Sequence, residues 1–409
     1  MEVVQVERYD EIYVKIKCDP STMMEMSEYF TFDVPGAKFM PAVRNKVWDG
    51  KIRLLQPMTG LIYAGLLNYV EEFCKSREYL LEHLSDFSSE EFSIKEAKEF
   101  IDKLKPKFPP RDYQLEAFVH AVRERRGLLL SPTASGKSFI IYLLVRYYAK
   151  RTLIIVPTTS LVSQLASDFA DYGFDSDKFV HRVFAGQAKE TTKPITITTW
   201  QSIYKIDKKY FDNFDLVIGD EAHLFKAKSL TSILTKLSRT RYRFGFTGTL
   251  DGTQTHRLVL EGLFGPVRKV TTTSELIEQK HLAEFQIKAI VLGYSDEIRK
   301  SISKLKYQDE IDWIVRCPER NNFIKNLALS LEGNTLLLFQ FVDKHGKVLY
   351  DMIKSEAGDR KVFFVHGDVE GEDREEIRRI VENERSAIII ASYGTFSTGV
   401  NIKNLHSVI

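Results

Sequence analysis

At 409 residues the chain is long enough for roughly two to four domains, each burying its own core. Its 44% apolar and 28% charged residues are the proportions of a soluble globular protein, and no run of about 18 apolar residues marks a membrane span. A formal net charge of only +2 excludes a global basic field, so any nucleic-acid binding must come from local patches and backbone amides.

The first residues, Met1-Glu-Val-Val-Gln-Val-Glu7, lack the basic start and long apolar core of a signal peptide, and a cytoplasmic protein is expected. Cys18, Cys74 and Cys317 are odd in number and far apart, so buried free thiols are expected and neither a disulfide framework nor a zinc knuckle is suggested. Residues 1–105 read as a separate small α/β unit. Val3–Glu7 and Ile12–Lys17 alternate as strands around a Tyr9-Asp10-Glu11 break, and helices are expected from Pro20 to Phe30 and from Leu66 to Leu81. Between those helices, Lys38 to Arg53 holds five basic residues and one acidic one. The whole unit has 14 Lys and Arg against 19 Asp and Glu, so the run is a directed positive patch on an acidic background. Arg44, Lys46, Lys51 and Arg53 suit phosphates, and Trp48 beside an Asp49-Gly50 hairpin turn offers a stacking face for DNA. The alternative is a plain hairpin with lysines on its polar side and Trp48 in the core.

An amphipathic helix over Ser93–Leu104 is stopped by Lys105-Pro-Lys-Phe-Pro-Pro110, and a domain boundary is placed there. Arg111, Tyr113 and Gln114 follow; Gln114 stands 23 residues before Lys137, and its amide both donates and accepts, as an adenine edge requires. Leu128–Leu130 then reads as the end of a buried strand, Ser131-Pro-Thr133-Ala134-Ser135-Gly136-Lys137-Ser138 as a loop, and Phe139–Val145 as a helix. Such a turn points backbone N–H groups and a helix N-terminus at one spot, where a polyphosphate is stabilised. Gly136 lets the backbone approach, Lys137 reaches the β- and γ-phosphates, and the Ser138 hydroxyl is placed for Mg2+, so ATP with Mg2+ is the expected cofactor. Ser131 replaces the first glycine of the G-x-x-x-x-G-K-[ST] pattern. A bare Gly-Lys-Ser also occurs by chance on surface turns; the strand before it and the helix after it carry the nucleotide reading.

The chain then alternates strand, loop and helix at the rhythm of a parallel sheet. Leu153–Val156 runs into Pro157 and Thr158, and Ile195–Thr199 into Trp200 and Gln201, at the strand ends where open α/β sheets bind ligands. Leu216–Gly219 delivers Asp220 and Glu221, two adjacent carboxylates that are costly to bury without a cation or a proton-transfer task. The economical assignment gives Asp220 to Mg2+ and Glu221 to the attacking water as general base. His223 senses the γ-phosphate or caps the next helix. Tyr242–Leu250 repeats the form with Thr247 and Thr249. Residues 265–285 read as a link, after which strands at Leu336–Gln340, Val362–Val365 and Ala387–Ala391 restart the rhythm without a second phosphate loop.

Taken in order, Tyr113-Gln114, Thr133 to Ser138, Val156-Pro-Thr158, Thr199-Trp-Gln201, Asp220-Glu-Ala-His223, Thr247-Gly-Thr249, Phe339-Gln340 and Ser397-Thr-Gly-Val-Asn401 resemble the motifs of superfamily 2 helicases. The resemblance covers residues 111–409. The basic run with its Trp-Asp-Gly centre, and the Phe-Ser-Thr-Gly-Val block, look like the phage recombination helicases of the UvsW type and extend it over nearly the whole chain.

That resemblance implies an α/β architecture of two RecA-like parallel-sheet lobes preceded by a small α/β domain. The corresponding divisions are a DNA-engaging 1–105, an ATP-binding 106–280 and a second lobe 281–409. It implies ATP between the lobes, coupling of hydrolysis to movement through His223, Thr247, Thr249, Gln340 and Gly399, and DNA-backbone contacts by Thr158, Thr199 and Thr398. The implied activity, carried by the set of motifs together, is an ATP-dependent DNA helicase that remodels forks, Holliday junctions and D- or R-loops as a monomer in the host cytoplasm.

 The alternatives are a duplex translocase that does not separate strands, a branched-DNA-binding protein with weak ATPase, and an RNA helicase. The family also carries a Q-x-x-G-R-x-x-R motif after the Thr398-Gly-Val block, and this chain ends at Ile409 before one. The resemblance therefore leads to the expectation of a second lobe incomplete at its C-terminus and of slowed turnover. Asn401 stands where many relatives have Asp.

Overall fold

The computed structural model describes residues 2–184, 188–224, 227–250, 254–284, 286–369, 371–396, 402 and 404–409. Two compact units divide the chain, Met1–Glu284 and Phe285–Ile409.

The first unit opens with the antiparallel pair Val3–Arg8 and Tyr13–Lys17. The turn between them is held by Asp10, whose carboxylate accepts from the amides of Ile12 at 2.7 Å and Tyr13 at 2.8 Å. The helix Pro20–Tyr29 follows, with Asp19 as its N-cap. The helix expected over 66–81 is shorter, Leu67–Ser76. Glu78 takes a left-handed φ of 58° and turns the chain, and Leu80–His83 becomes a strand parallel to Val3–Val6. Pairing with the sheet edge overrides the helical spacing there. Asp49-Gly50 is likewise no tight hairpin turn: the short ladder of Thr31–Asp33 with Lys51–Arg53 is closed by the long excursion 34–50, which contains the helix Pro41–Arg44.

A seven-stranded parallel sheet follows, in the order Val180–Val183, Ile195–Thr199, Thr152–Val156, Leu216–Gly219, Tyr242–Thr247, Arg126–Leu130, Val267–Lys269. Its last strand lies within the expected link 265–285, where Val267 pairs with Leu128 and extends the sheet. Alternate residues face opposite sides. Leu129, Ile154, Ile218 and Phe246 pack on the helices Asp112–Glu124, Lys137–Tyr148 and Thr159–Asp171. On the other face, Leu128, Ile155 and Val217 join an apolar cluster that continues without a break into Val4, Val14, Ile62 and Phe73 of the N-terminal sheet.

This continuity depends on close backbone approach. A Cβ on Gly65 would lie 2.0 Å from Glu261 O, and one on Gly262 would lie 2.8 Å from the Tyr63 side chain. Around that contact Glu261, 2% exposed, accepts from Tyr69 Oη at 3.0 Å and Arg257 Nε at 2.6 Å. Arg126 reaches from the seven-stranded sheet to Glu11 O at 3.2 Å, and Glu11 N donates to Ser238 O at 3.2 Å. Arg243 is fully buried. Its guanidinium donates to the carbonyls of Leu263, Leu237 and Leu234 at 2.9, 3.0 and 3.0 Å, which offsets a burial that pushes its pKa down to about 9.

The second unit is built on a four-stranded parallel sheet, Val362–Val365, Ile388–Ser392, Thr335–Phe339, Ser407–Val408. Leu337, Phe339, Ile388 and Ile390 fill one face, and Leu336, Val365, Ile389 and Ala391 the other. Asn334 staples its base: the buried amide donates to Val381, Glu384 and Asn404 carbonyls and accepts from Ala387 N at 2.8 Å.

Substituting Gly65→Val should destabilise the first unit by about 1–3 kcal/mol through overpacking against the Glu261 carbonyl. Thermal unfolding and limited proteolysis between residues 84 and 93 would report it, and an unchanged melting temperature with unchanged cleavage would refute the close packing.

Candidate nucleotide site and nucleic-acid surface

The loop expected to seat phosphates joins the strand Arg126–Leu130 to the helix Lys137–Tyr148. Ala134 and Gly136 both take left-handed φ, 63° and 78°, which folds the loop back over the helix N-terminus. The loop is braced from below: Ser131 N donates to Thr247 O at 2.8 Å, and the Ser131 and Ser135 hydroxyls meet at 2.6 Å. Gln114 braces it from the side. This buried amide accepts from Arg111 N at 2.9 Å and donates to Ser135 O at 2.9 Å, with Tyr113 Oη donating to the same carbonyl at 2.9 Å. A Cβ on Gly136 would fall 2.3 Å from Gln114 Nε2, so glycine is required there by space as well as by φ. Thr133 and Ala134 form the exposed crest of the loop.

Facing the loop are the residues after Leu216–Gly219. The Lys137 ammonium contacts the Glu221 carboxylate, and both side chains are largely buried. Glu221 adopts φ 50°, an unusual conformation for a residue with a Cβ and a mark of a constrained site. Its backbone N–H donates to Asp220 Oδ1 at 3.0 Å, while Asp220 N donates to Ile155 O at 2.9 Å. Asp220 is 8% exposed, and burial pushes its carboxyl up to about 6; Lys137 pulls it down, and Glu221 raises it further. His223 Nδ1 lies 2.7 Å from Thr247 Oγ1, whose proton is spent on Thr249 O at 2.6 Å. Thr247 therefore accepts, and the Nδ1–H tautomer of His223 donates. Loop, carboxylates and the Thr247–Thr249 turn thus form one connected set.

A buried carboxylate with an elevated pKa is short of positive charge, and a divalent cation beside it would reverse that shift. The hydroxyl of Ser138, in the first turn of the helix Lys137–Tyr148, and the Asp220 carboxylate are hard oxygen donors of the kind Mg2+ takes. Among the described residues no group of three or more His, Cys, Asp and Glu forms an all-protein cage.

The strand-end residues lie side by side, because Thr199 is paired with Val156 in register. Thr158 caps the helix Thr159–Asp171 and contacts Ser160 Oγ at 3.0 Å. Gln201 Nε2 donates to Pro157 O at 3.3 Å, Thr199 Oγ1 meets Ser202 Oγ at 2.9 Å, and Trp200 packs edge-on to Tyr204. Gln340 is exposed at the end of Thr335–Phe339 in the second unit. Thr398 and Gly399 lie outside the described residues. On the N-terminal excursion Arg44, Lys46, Lys51 and Arg53 are all exposed, with Arg53 paired to Asp49. Trp48 is half-buried, its indole N–H donating to Lys51 O at 2.9 Å. Sequence reasoning missed that Phe39 and Val47, 66% and 81% exposed, stand beside these cations. It also missed Tyr172, whose hydroxyl lies 2.8 Å from Ser138 Oγ although 34 residues separate them; no spacing rule links the two.

Two family models match the chain: "DNA helicase UvsW, N-terminal" over residues 3–83 and "Type III restriction enzyme, res subunit" over residues 107–252. The ATP-dependent DNA helicase uvsW of Enterobacteria phage T4 is 35% identical over 99% of this chain and 84% of its own length. The chain belongs to the UvsW family of ATP-dependent DNA helicases. The crystal structure of T4 UvsW superposes with a TM-score of 0.62, covering 99% of this chain and 83% of that one. A DNA 3'-5' translocase, XPB2 of Sulfurisphaera tokodaii, is 30% identical over 50% of this chain and 45% of its own. The helicase MrfA, solved with DNA and AMPPNP, shares the fold at 16% identity with a TM-score of 0.52. The two parallel sheets of this UvsW-family chain are therefore RecA-like helicase folds, and family membership carries nucleotide dependence with it.

The Asp220 shift has a definite sign. Its folded-state pKa is raised, so the folded chain binds more protons than the unfolded chain between the two values, and stability falls as pH rises through about 6. Asp220→Asn should therefore raise the melting temperature of the nucleotide-free protein at pH 7.5, by up to about 2–3 kcal/mol of stability. The gain should shrink at pH 5. Equal melting temperatures for variant and parent at pH 7.5 would argue against the buried charge.

Proposed function

We propose that this chain is an ATP-driven DNA motor that remodels branched DNA, including forks, Holliday junctions and D- or R-loops, in phage recombination, repair and replication within the host cytoplasm. The observation that carries the reading is the connected set Lys137–Glu221–His223–Thr247, which ties the phosphate loop to the end of Leu216–Gly219, the strand paired beside Thr152–Val156 and the polar loop that follows it. Lys137 pairs with Glu221 until γ-phosphate oxygens draw the ammonium away; the freed carboxylate then accepts a proton from the attacking water. Ser138 and Asp220 would hold Mg2+, which would supply positive charge to offset that of the phosphates. Gln114 and Arg111 set the loop and the adenine edge. His223, Thr247 and Thr249 transmit the change at Glu221 to the neighbouring strand end, with Gln340 and Gly399 acting in the second lobe.

Pro157, Thr158, Thr199, Trp200, Gln201 and Thr398 serve as contacts to the DNA backbone. Residues 1–105 act as the DNA-engaging domain, 106–280 as the ATP-binding lobe and 281–409 as the second lobe, working as a monomer. Arg44, Lys46, Lys51 and Arg53 bind phosphates, and exposed Phe39 and half-buried Trp48 suit stacking on splayed bases, with Val47 adding apolar surface. The likeness of half the chain to a named translocase supports a second reading, movement on duplex without strand separation.

ATP hydrolysis and strand displacement on single-stranded, duplex, forked and four-way DNA separate the two readings, with Lys137→Ala as the inactive control. Branched-DNA remodelling requires strongest stimulation by forked and four-way DNA, whereas equal stimulation by plain duplex without displacement supports translocation alone. For the patch, Arg44→Ala with Lys46→Ala should lower the slope of log affinity against log salt by about two. An unchanged slope would remove both residues from the DNA surface.

A further inference from the structure

Beside the phosphate loop, the hydroxyl of Tyr172 lies 2.8 Å from Ser138 Oγ. Tyr172 is the C-cap residue of the helix Thr159–Asp171, so it reaches the loop from a different element. Its ring is fixed by Phe139 at 5.0 Å, edge to face, and by Tyr142 at 5.3 Å.

A serine hydroxyl has one proton and two lone pairs. To give a lone pair to a cation it must turn its proton away from that cation, toward an acceptor, and the phenol oxygen of Tyr172 stands at hydrogen-bonding distance. We propose that Tyr172 is a positioning residue that accepts the Ser138 proton and so presents the Ser138 lone pair to the nucleotide-bound divalent cation. The proposal rests on the reading of Ser138 as a cation ligand given above. Outer-sphere partners of this kind are worth roughly 10- to 100-fold in metal affinity. The role needs the hydroxyl alone, because the ring packs without it.

The test is binding of a fluorescent ADP analogue to the full chain, in EDTA and across a Mg2+ titration. Tyr172→Phe should bind the analogue in EDTA within about twofold of the parent while needing roughly tenfold more Mg2+ for the metal-dependent gain in affinity. Ser138→Ala should shift that midpoint at least as far, and adding Tyr172→Phe to it should produce no further shift. An unchanged midpoint in Tyr172→Phe, an equal loss in EDTA, or a further tenfold shift in the double variant would each overturn the proposal. If the parent shows no Mg2+-dependent binding, or Lys137→Ala retains it, the nucleotide-site reading fails and takes this one with it. That outcome is distinct from an intact parent response with a silent Tyr172→Phe.

Discussion

A lysine ammonium and a glutamate carboxylate that are 84 residues apart meet at the carboxyl edge of a parallel sheet, and the arrangement of the site follows from that contact. Each charge is largely withdrawn from water and each is compensated by the other, so neither position tolerates loss of its partner without an exposed desolvation cost. The proposed exchange of Glu221 for a polyphosphate on Lys137 starts from this pairing.

Parallel strands make that meeting possible. Every strand of the seven-stranded sheet runs the same way, so each following loop emerges at one edge, and Ser131 N on Thr247 O ties the phosphate loop to a neighbouring strand end directly. Asp220 sits one residue from the exposed edge and bears the electrostatic strain of this design. Its raised pKa follows from burial, with Lys137 opposing the shift and Glu221 adding to it.

The N-terminal sheet is joined to this core more firmly than a tethered accessory would be. The shared apolar cluster, the Gly65 and Gly262 approach, and the Arg126 and Glu11 contacts bind the two backbones at several points. The exposed cations of the excursion 34–50 are therefore carried on the same compact unit as the phosphate loop.

Much of this was legible in the residue order. The strand, loop and helix at 128–145, the paired acids after Leu216–Gly219 and the amphipathic helix that stops before Lys105 are local features, and local spacing and side-chain chemistry specify them. What failed was also local in appearance: Leu80–Leu81 continues a helical spacing yet forms a strand because Val3–Val6 offers an unpaired edge, and Val267–Lys269 reads as linker yet completes the larger sheet. The sequence by itself determined the alternation of elements and the residue types delivered to each strand end. Only the tertiary structure decided which of them touch. The Lys137–Glu221 pair, the His223–Thr247 tautomer, the Gly65 approach and the Tyr172–Ser138 contact all join distant segments, and distance in space between such segments is set by sheet order and packing, which no spacing along the chain encodes.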